Sequence, residues 1–208
     1  MEQIVKLGEH TEQSVVLLCE GAIPTLEQLE AEADAEDIAS VDGMSAPSRR
    51  RERLLWRRMA RTLVAARTLK VEYTAEGAPT IKDFPYSHIS VSHCKDAVVV
   101  VASQRRCGVD IERRDRDFHR VASRYITDKE WSLSGEGEQE RNLFMAIVWC
   151  AKECLYKMYG HAGIDFRRDV EIEKIDIATR SVVGRLKQHE GVEMQIELLD
   201  NHIVVLCR

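Results

Sequence analysis

The sequence predicts an α+β fold built from two long amphipathic helices, each accompanied by short, mostly antiparallel strands. Three observations predict it. Apolar residues recur at helical spacing from about Arg49 to Leu69 and again from about Gln139 to Tyr159. Strand-like runs cluster between these stretches, and the tail from Asp169 to Arg208 alternates in the manner of a meander.

The elements follow in order. Residues 15–20 (VVLLCE) read as a buried strand, and Leu26 to Ile38 as an acidic helical stretch after Pro24. A loop over 40–48 (SVDGMSAPS) leads into the first long helix, whose Leu55, Met59, Leu63 and Ala66 share a face while Arg50, Arg53, Arg57 and Arg61 line another. The simplest reading of that arginine row is a solvated face. After the Gly77-Ala78-Pro79 turn come three strands, HISVSH (88–93), AVVVVA (97–102) and CGVDIE (107–112). The second long helix follows. The meander comprises EIEKIDI, SVVGRLK, GVEMQIEL and HIVVLC, separated by turn-like pairs such as Asp200-Asn201. Each half thus offers a long helix plus strands, without a repeat in the sequence itself.

Composition narrows the function. With 44% hydrophobic and 31% charged residues, the chain of 208 residues is that of an ordinary globular protein, one body or two half-size lobes. A net charge of −5 disfavours a general nucleic-acid binder. The start lacks the pattern of a secretory signal, and no apolar window reaches membrane length, so a cytoplasmic protein without membrane contact is expected. The six cysteines form no C-x-x-C pair, which reads as reduced thiols. Charge is unevenly placed: residues 27–37 hold six acids and no base, whereas residues 49–70 hold eight arginines and a lysine against Glu52 alone. Such a basic stripe can hold a phosphate on a protein that is acidic overall.

Chemistry is concentrated in three segments. In Gly108-Val109-Asp110-Ile111-Glu112, strand alternation sets Asp110 and Glu112 on one face, where paired carboxylates suit a hard cation such as Mg²⁺. The alternative is an exposed acidic pair answered by Arg113 and Arg114. On the second helix Leu143, Ile147, Ala151, Cys154, Leu155 and Met158 supply a core face. Trp149, Glu153 and Lys157 follow i, i+4, i+8 spacing on another face, which reads either as a surface salt bridge or as a covered site. In Ser90-Val91-Ser92-His93 a serine and a histidine at a strand end can donate to phosphate oxygens. No G-x-S-x-G elbow accompanies them, so a hydrolase reading fails.

With SVSH (90–93), GVDIE (108–112), Tyr125, Glu130-Trp131 and WCAKECLYK (149–157) in this order, the chain resembles the long, pseudodimeric class of 4′-phosphopantetheinyl transferases, the surfactin-synthetase-activating type. The GAPTI turn and the arginines near residue 50 extend the likeness more loosely. One departure is Ala78, where the family's G-x-P turn often carries a lysine near the nucleotide.

The resemblance implies two α+β lobes, residues 1–104 with coenzyme A phosphate contacts and 105–208 with the metal site, related by a pseudo-twofold. It implies Mg²⁺ gathered by Asp110, Glu112 and Glu153. It also implies coenzyme A phosphates held by Arg50, Arg51, Arg53, Ser92, His93, Lys152 and Lys157. The implied reaction moves phosphopantetheine from coenzyme A to a serine of an apo acyl or peptidyl carrier protein. Glu153 is then a general base or chiefly a metal ligand, Asp110 and Lys157 act beside it, and a pseudodimer implies a monomer. Two other readings are a metal-dependent nuclease using Asp110 with E-x-E-K at 171–174, and a non-catalytic coenzyme A-binding module.

Overall fold

The computed structural model describes residues 3–6, 14–21, 23–64, 68–75, 77–135, 137–160 and 163–208. The chain divides into two compact units, Met1–Arg106 and Cys107–Arg208. No helix among the described residues is long and apolar enough to cross a membrane.

In the amino-terminal unit the described strands are β1 (Gln3–Lys6), β2 (Ser14–Glu20), β3 (Val71–Tyr73), β4 (Pro79–Ile81), β5 (His88–His93) and β6 (Ala97–Ser103). They form one antiparallel sheet in the order β1-β2-β6-β5-β4-β3. The acidic stretch expected as one helix is two, α1 (Leu26–Glu32) and α2 (Ala35–Val41). The cause is local. Ala33 is extended, and Asp34 caps a fresh start by accepting from the Asp37 amide at 2.8 Å.

The first long helix, α3, runs Pro47–Val64; Ala66 lies outside the described residues. Leu54, Leu55, Met59 and Ala60 pack with Leu29, Val41, Val98 and Val100. The arginine row is not a solvated face. Arg57 is buried, donating to Asp37 Oδ1 at 2.7 Å and to the Leu69 carbonyl at 2.9 Å, and Arg61 also reaches Asp37. Arg50 binds Glu30 at 2.7 Å and Arg58 binds Glu32 at 3.4 Å. Four of the six acids of residues 27–37, Glu30, Glu32, Asp34 and Asp37, thus answer much of the basic stripe inside the unit.

The carboxy-terminal unit contains β7 (Gly108–Arg113), a 3₁₀ turn (Ala122–Arg124), α4 (Asp128–Trp131), α5 (Glu138–Tyr159), β8 (Val170–Asp176), β9 (Ser181–Leu186), β10 (Val192–Leu198) and β11 (His202–Cys207). The sheet order is β7-β11-β10-β9-β8. Apart from β1, the two units share one topology: a first strand, an excursion through helices, then a four-strand meander whose last strand returns to pair with the first. The repeat that no sequence pattern reveals is therefore present in the strand order.

Two contacts seat α5. A Cβ on Gly108 would lie 2.1 Å from the Cys154 carbonyl oxygen, so only glycine lets the helix backbone rest directly on β7. The second contact corrects an expectation. Lys152 is completely buried, and its ammonium donates to the carbonyls of Tyr125 (2.6 Å), Phe166 (2.8 Å) and Val170 (2.8 Å) and to Glu130 at 2.7 Å. Glu130 is equally buried and also accepts from the amides of Thr127 and Ile172, each at 2.8 Å. An ammonium so surrounded has no hydrogen left for a coenzyme A phosphate; Lys152 is a structural cation. Removing one member of such a pair strands the other, so Lys152→Met should lower the unfolding free energy by about 3–5 kcal/mol in urea titrations, or prevent folding. Unchanged stability would return Lys152 to ligand binding.

Candidate active site

Strand register decides where the acidic pair points. Gly108, Asp110 and Glu112 pair with Cys207, Val205 and Ile203, all members of the core beneath α5, so the three share the helix-facing side of β7 while Val109 and Ile111 take the other. Asp110 is 4% exposed, which excludes the exposed-pair alternative. Arg113 binds Asp115 at 2.6 Å, and Arg114 binds the Leu199 carbonyl at 3.2 Å.

Two cations from outside the strand answer it. Lys157 crosses from α5 to donate to Asp110 Oδ1 at 2.7 Å and to the Val109 carbonyl at 3.0 Å. Its i,i+4 partner in sequence, Glu153, is not its ion-pair partner. Glu112 is bound by Arg116, and the nearby Trp149 indole also favours its charged form. Trp149 stands edge-on to Tyr125 at 5.1 Å and 5.8 Å from Phe166. Among the described residues no hydrogen bond or ion pair holds the Glu153 carboxylate.

The electrostatics are those of a site short of positive charge. Burial pushes Glu153 up to about 7, and the Asp110 charge adds to this while Lys157 opposes it. Burial and Asp110 likewise raise Glu112, against Arg116 and the indole. Burial alone would depress Lys157, but Asp110 and Glu153 hold its pKa above the ordinary value. Three closely placed carboxylates, with Glu112 and Glu153 pushed upward by burial and by the Asp110 charge, make a hard-oxygen donor set suited to a divalent cation. Their oxygens do not all lie within 4.8 Å of one another. Lys157 and Arg116 hold two of the three groups on separate partners.

The predicted phosphate ligands of the other unit do not all converge. A pocket of about 430 Å³ is lined by Arg51, Glu52, His93 and Lys95 with Ile23, Leu55, Cys94 and Val98. His93 Nε2 lies 3.3 Å from Glu52 Oε2. Ser92 is buried, and alternation along β5 puts it on the face opposite His93, so the two cannot serve one ligand from that pocket. Arg50 is bound to Glu30, and Arg53 lies over the Tyr73 ring at 5.3 Å while donating to its hydroxyl. Ala78 sits in the β3–β4 turn, its amide on Thr74 Oγ1 at 3.2 Å.

The nuclease reading fails on topology. Asp110 is on β7 and Glu171 and Glu173 are on β8, the two edges of a five-stranded sheet, roughly 19 Å apart at ~4.8 Å per strand spacing. Glu171 is moreover bound by Lys129 and Arg185.

Comparison with known proteins agrees with this geometry. Residues 106–207, almost the whole carboxy-terminal unit, match the 4′-phosphopantetheinyl transferase superfamily. The likeness to that superfamily therefore lies in the carboxy-terminal unit. Over 127 residues, 61% of this chain, it is 28% identical to the 4′-phosphopantetheinyl transferase Sfp of Bacillus subtilis strain 168 and 31% identical to the 4′-phosphopantetheinyl transferase ffp of Bacillus subtilis. Over 97 residues it is 29% identical to the 4′-phosphopantetheinyl transferase psf-1 of Bacillus pumilus. The first two matches cover 50% of each relative and the third 41%, so the chain spans about half the length of these proteins.

Within the carboxy-terminal unit, sequence reasoning missed Arg116, whose signal was its i+4 spacing from Glu112 beyond the strand end. It also missed that Glu130 partners Lys152. In the other unit it passed over Glu52, the lone acid of the basic stripe, which turns out to face His93.

The raised Glu153 pKa has a consequence for the metal-free protein. Below its ordinary value of 4.5 the carboxyl is neutral folded or unfolded, and the fold bears no penalty. As pH rises toward 7 the unfolded chain ionises first, so stability falls and the full penalty is present above 7. Glu153→Gln should therefore stabilise the protein by about 1–3 kcal/mol more at pH 8 than at pH 5 in denaturant titrations with chelator. An equal effect at both pH values would show that Glu153 is not desolvated.

Proposed function

We propose that the protein transfers the 4′-phosphopantetheine group from coenzyme A to a serine of an apo acyl or peptidyl carrier protein, releasing 3′,5′-ADP. The observation that carries this reading is the placement of Glu153, poised near pH 7 and without a hydrogen-bond partner among the described residues, beside Asp110, Glu112 and Lys157. A base near the operating pH is suited to taking a proton from a serine hydroxyl. Lys157, held protonated, neutralises charge developing on the leaving phosphate. Asp110 and Glu112, with Glu153, are the residues that would hold Mg²⁺, which supplies charge screening and Lewis acidity at the diphosphate. Arg51, His93 and Lys95 form the phosphate end of the amino-terminal unit.

The shared strand order of the two units supports a pseudo-twofold between lobes; a cytoplasmic monomer that needs neither nucleic acid nor membrane is part of the same proposal. The division of labour, phosphate contacts in the first lobe and metal and base in the second, belongs to the same proposal. A non-catalytic coenzyme A-binding module is the reading to exclude.

Incubation with Mg²⁺, fluorescent coenzyme A and an apo-carrier should label the carrier. Glu153→Gln should lose ~10²–10⁴-fold in kcat while coenzyme A still binds. Binding without label transfer by the parental protein would leave only the module. Because Arg50 and Arg53 are engaged within the unit, loss of affinity should concentrate at Arg51: Arg51→Gln should weaken coenzyme A by roughly 10–100-fold, and dephospho-coenzyme A much less. Equal effects at Arg50 and Arg51, measured by calorimetry, would refute that assignment.

A further inference from the structure

The loop leaving β7 turns back on itself. The Arg116 amide donates to the Arg113 carbonyl at 3.2 Å, and Asn142 of α5 donates to the carbonyls of Arg114 and Arg116, each at 3.3 Å. This return lays the Arg116 guanidinium on Glu112, with its centre 4.7 Å from the Phe118 ring and 5.4 Å from the Trp149 ring. Phe118 is fully buried, and Trp149 is packed against Tyr125 and Phe166, so both surfaces are fixed. An ordinary i,i+4 surface pair has no such support. Arg116 is a built-in part of the carboxylate cluster.

Its charge matters because of the sum around it. β7 contributes Asp110 and Glu112; α5 contributes Glu153, Lys157, the Trp149 indole and the neutral Cys150 thiol. Three carboxylates stand against two cations. Without Arg116 the excess would be two negative charges, which a divalent ion would neutralise in full. With it the excess is one, and a bound divalent ion leaves the cluster positive until an anion joins.

We propose that Arg116 is a positioning residue that tempers the affinity of the cluster for a divalent cation, so that the cation binds tightly only together with an anionic diphosphate. The inference rests on the reading that Asp110, Glu112 and Glu153 hold the metal. Arg116 holds Glu112 against the indole and opposes the ion electrostatically; the diphosphate of coenzyme A supplies the missing negative charge and makes the two ligands bind cooperatively.

The test is Mn²⁺ binding followed by electron paramagnetic resonance of the free ion, with and without coenzyme A, in the parental protein and in Arg116→Gln, Arg116→Lys and Asp110→Ala. Arg116→Gln should bind Mn²⁺ roughly ten- to a hundredfold more tightly without coenzyme A, and the enhancement that coenzyme A gives should shrink. Arg116→Lys keeps the charge and should stay within about threefold of the parent. Unchanged or weaker Mn²⁺ binding by Arg116→Gln, with binding lost in Asp110→Ala, overturns the inference alone. Should Arg116→Gln fail to fold, tenfold tighter binding by Arg116→Lys overturns it as well. Mn²⁺ affinity that survives Asp110→Ala overturns the metal reading of the cluster, and the inference with it.

Discussion

Lys152 and Glu130 meet where solvent is absent, and the geometry of the carboxy-terminal unit follows from how their charges are satisfied. The ammonium draws in carbonyls from the turn at Tyr125, the connection at Phe166 and the start of β8 at Val170, while the carboxylate caps α4 and takes the Ile172 amide. A charge in a low-dielectric interior is tolerated only when every hydrogen-bonding direction is used. Three otherwise separate segments are thereby tied to one point on α5. Glu153 is the next residue, about 100° further round the helix, so fixing the rotation of Lys152 also fixes the direction in which Glu153 looks. The adjacent lysine and glutamate are unlike in kind: one holds the helix, and the other is presented by it.

Charge is arranged by the same economy in the amino-terminal unit. The basic helix α3 would repel itself in isolation, with Arg50, Arg57, Arg58 and Arg61 close together, and the acids of α1 and α2 relieve that repulsion. What remains facing the pocket is a small set, Arg51, Lys95 and His93, with Glu52 as its counter-charge. A segment can thus read as a strong anion-binding stripe while its structure leaves few of its guanidinium groups available.

The fold was largely legible in the sequence, because hydrophobic period and turn residues are local signals. Strands β5, β6 and β7, helix α5 and the meander fall where alternation and helical spacing put them. The short strands β3 and β4 carry too few residues to show a period, and the break between α1 and α2 depends on one cap at Asp34. At the site, Asp110, Glu112 and Glu153 were legible because a strand and a helix each impose a face. Lys152 was misread since sequence shows a charge but not its depth. Ser92 was misread since two residues adjacent on a strand were assigned to one ligand. Arg116 went unseen because its contact is made by a loop, whose path no periodicity predicts.

The close seat of α5 on β7 means that the five residues Gly108 to Glu112 satisfy two unrelated demands. Gly108 is there because the Cys154 carbonyl oxygen occupies the space that any side chain would need; Asp110 and Glu112 are charges placed against a preference for apolar neighbours. Substitutions sorted by cellular abundance alone would separate them. Position 108 would tolerate almost nothing, while uncharged residues at 110 would accumulate well. Sorted by activity, the same positions would fail together. A motif that looks uniform in a row of letters is, in this chain, a packing requirement joined to a chemical one, and only paired screens of the two kinds can tell which letter answers to which.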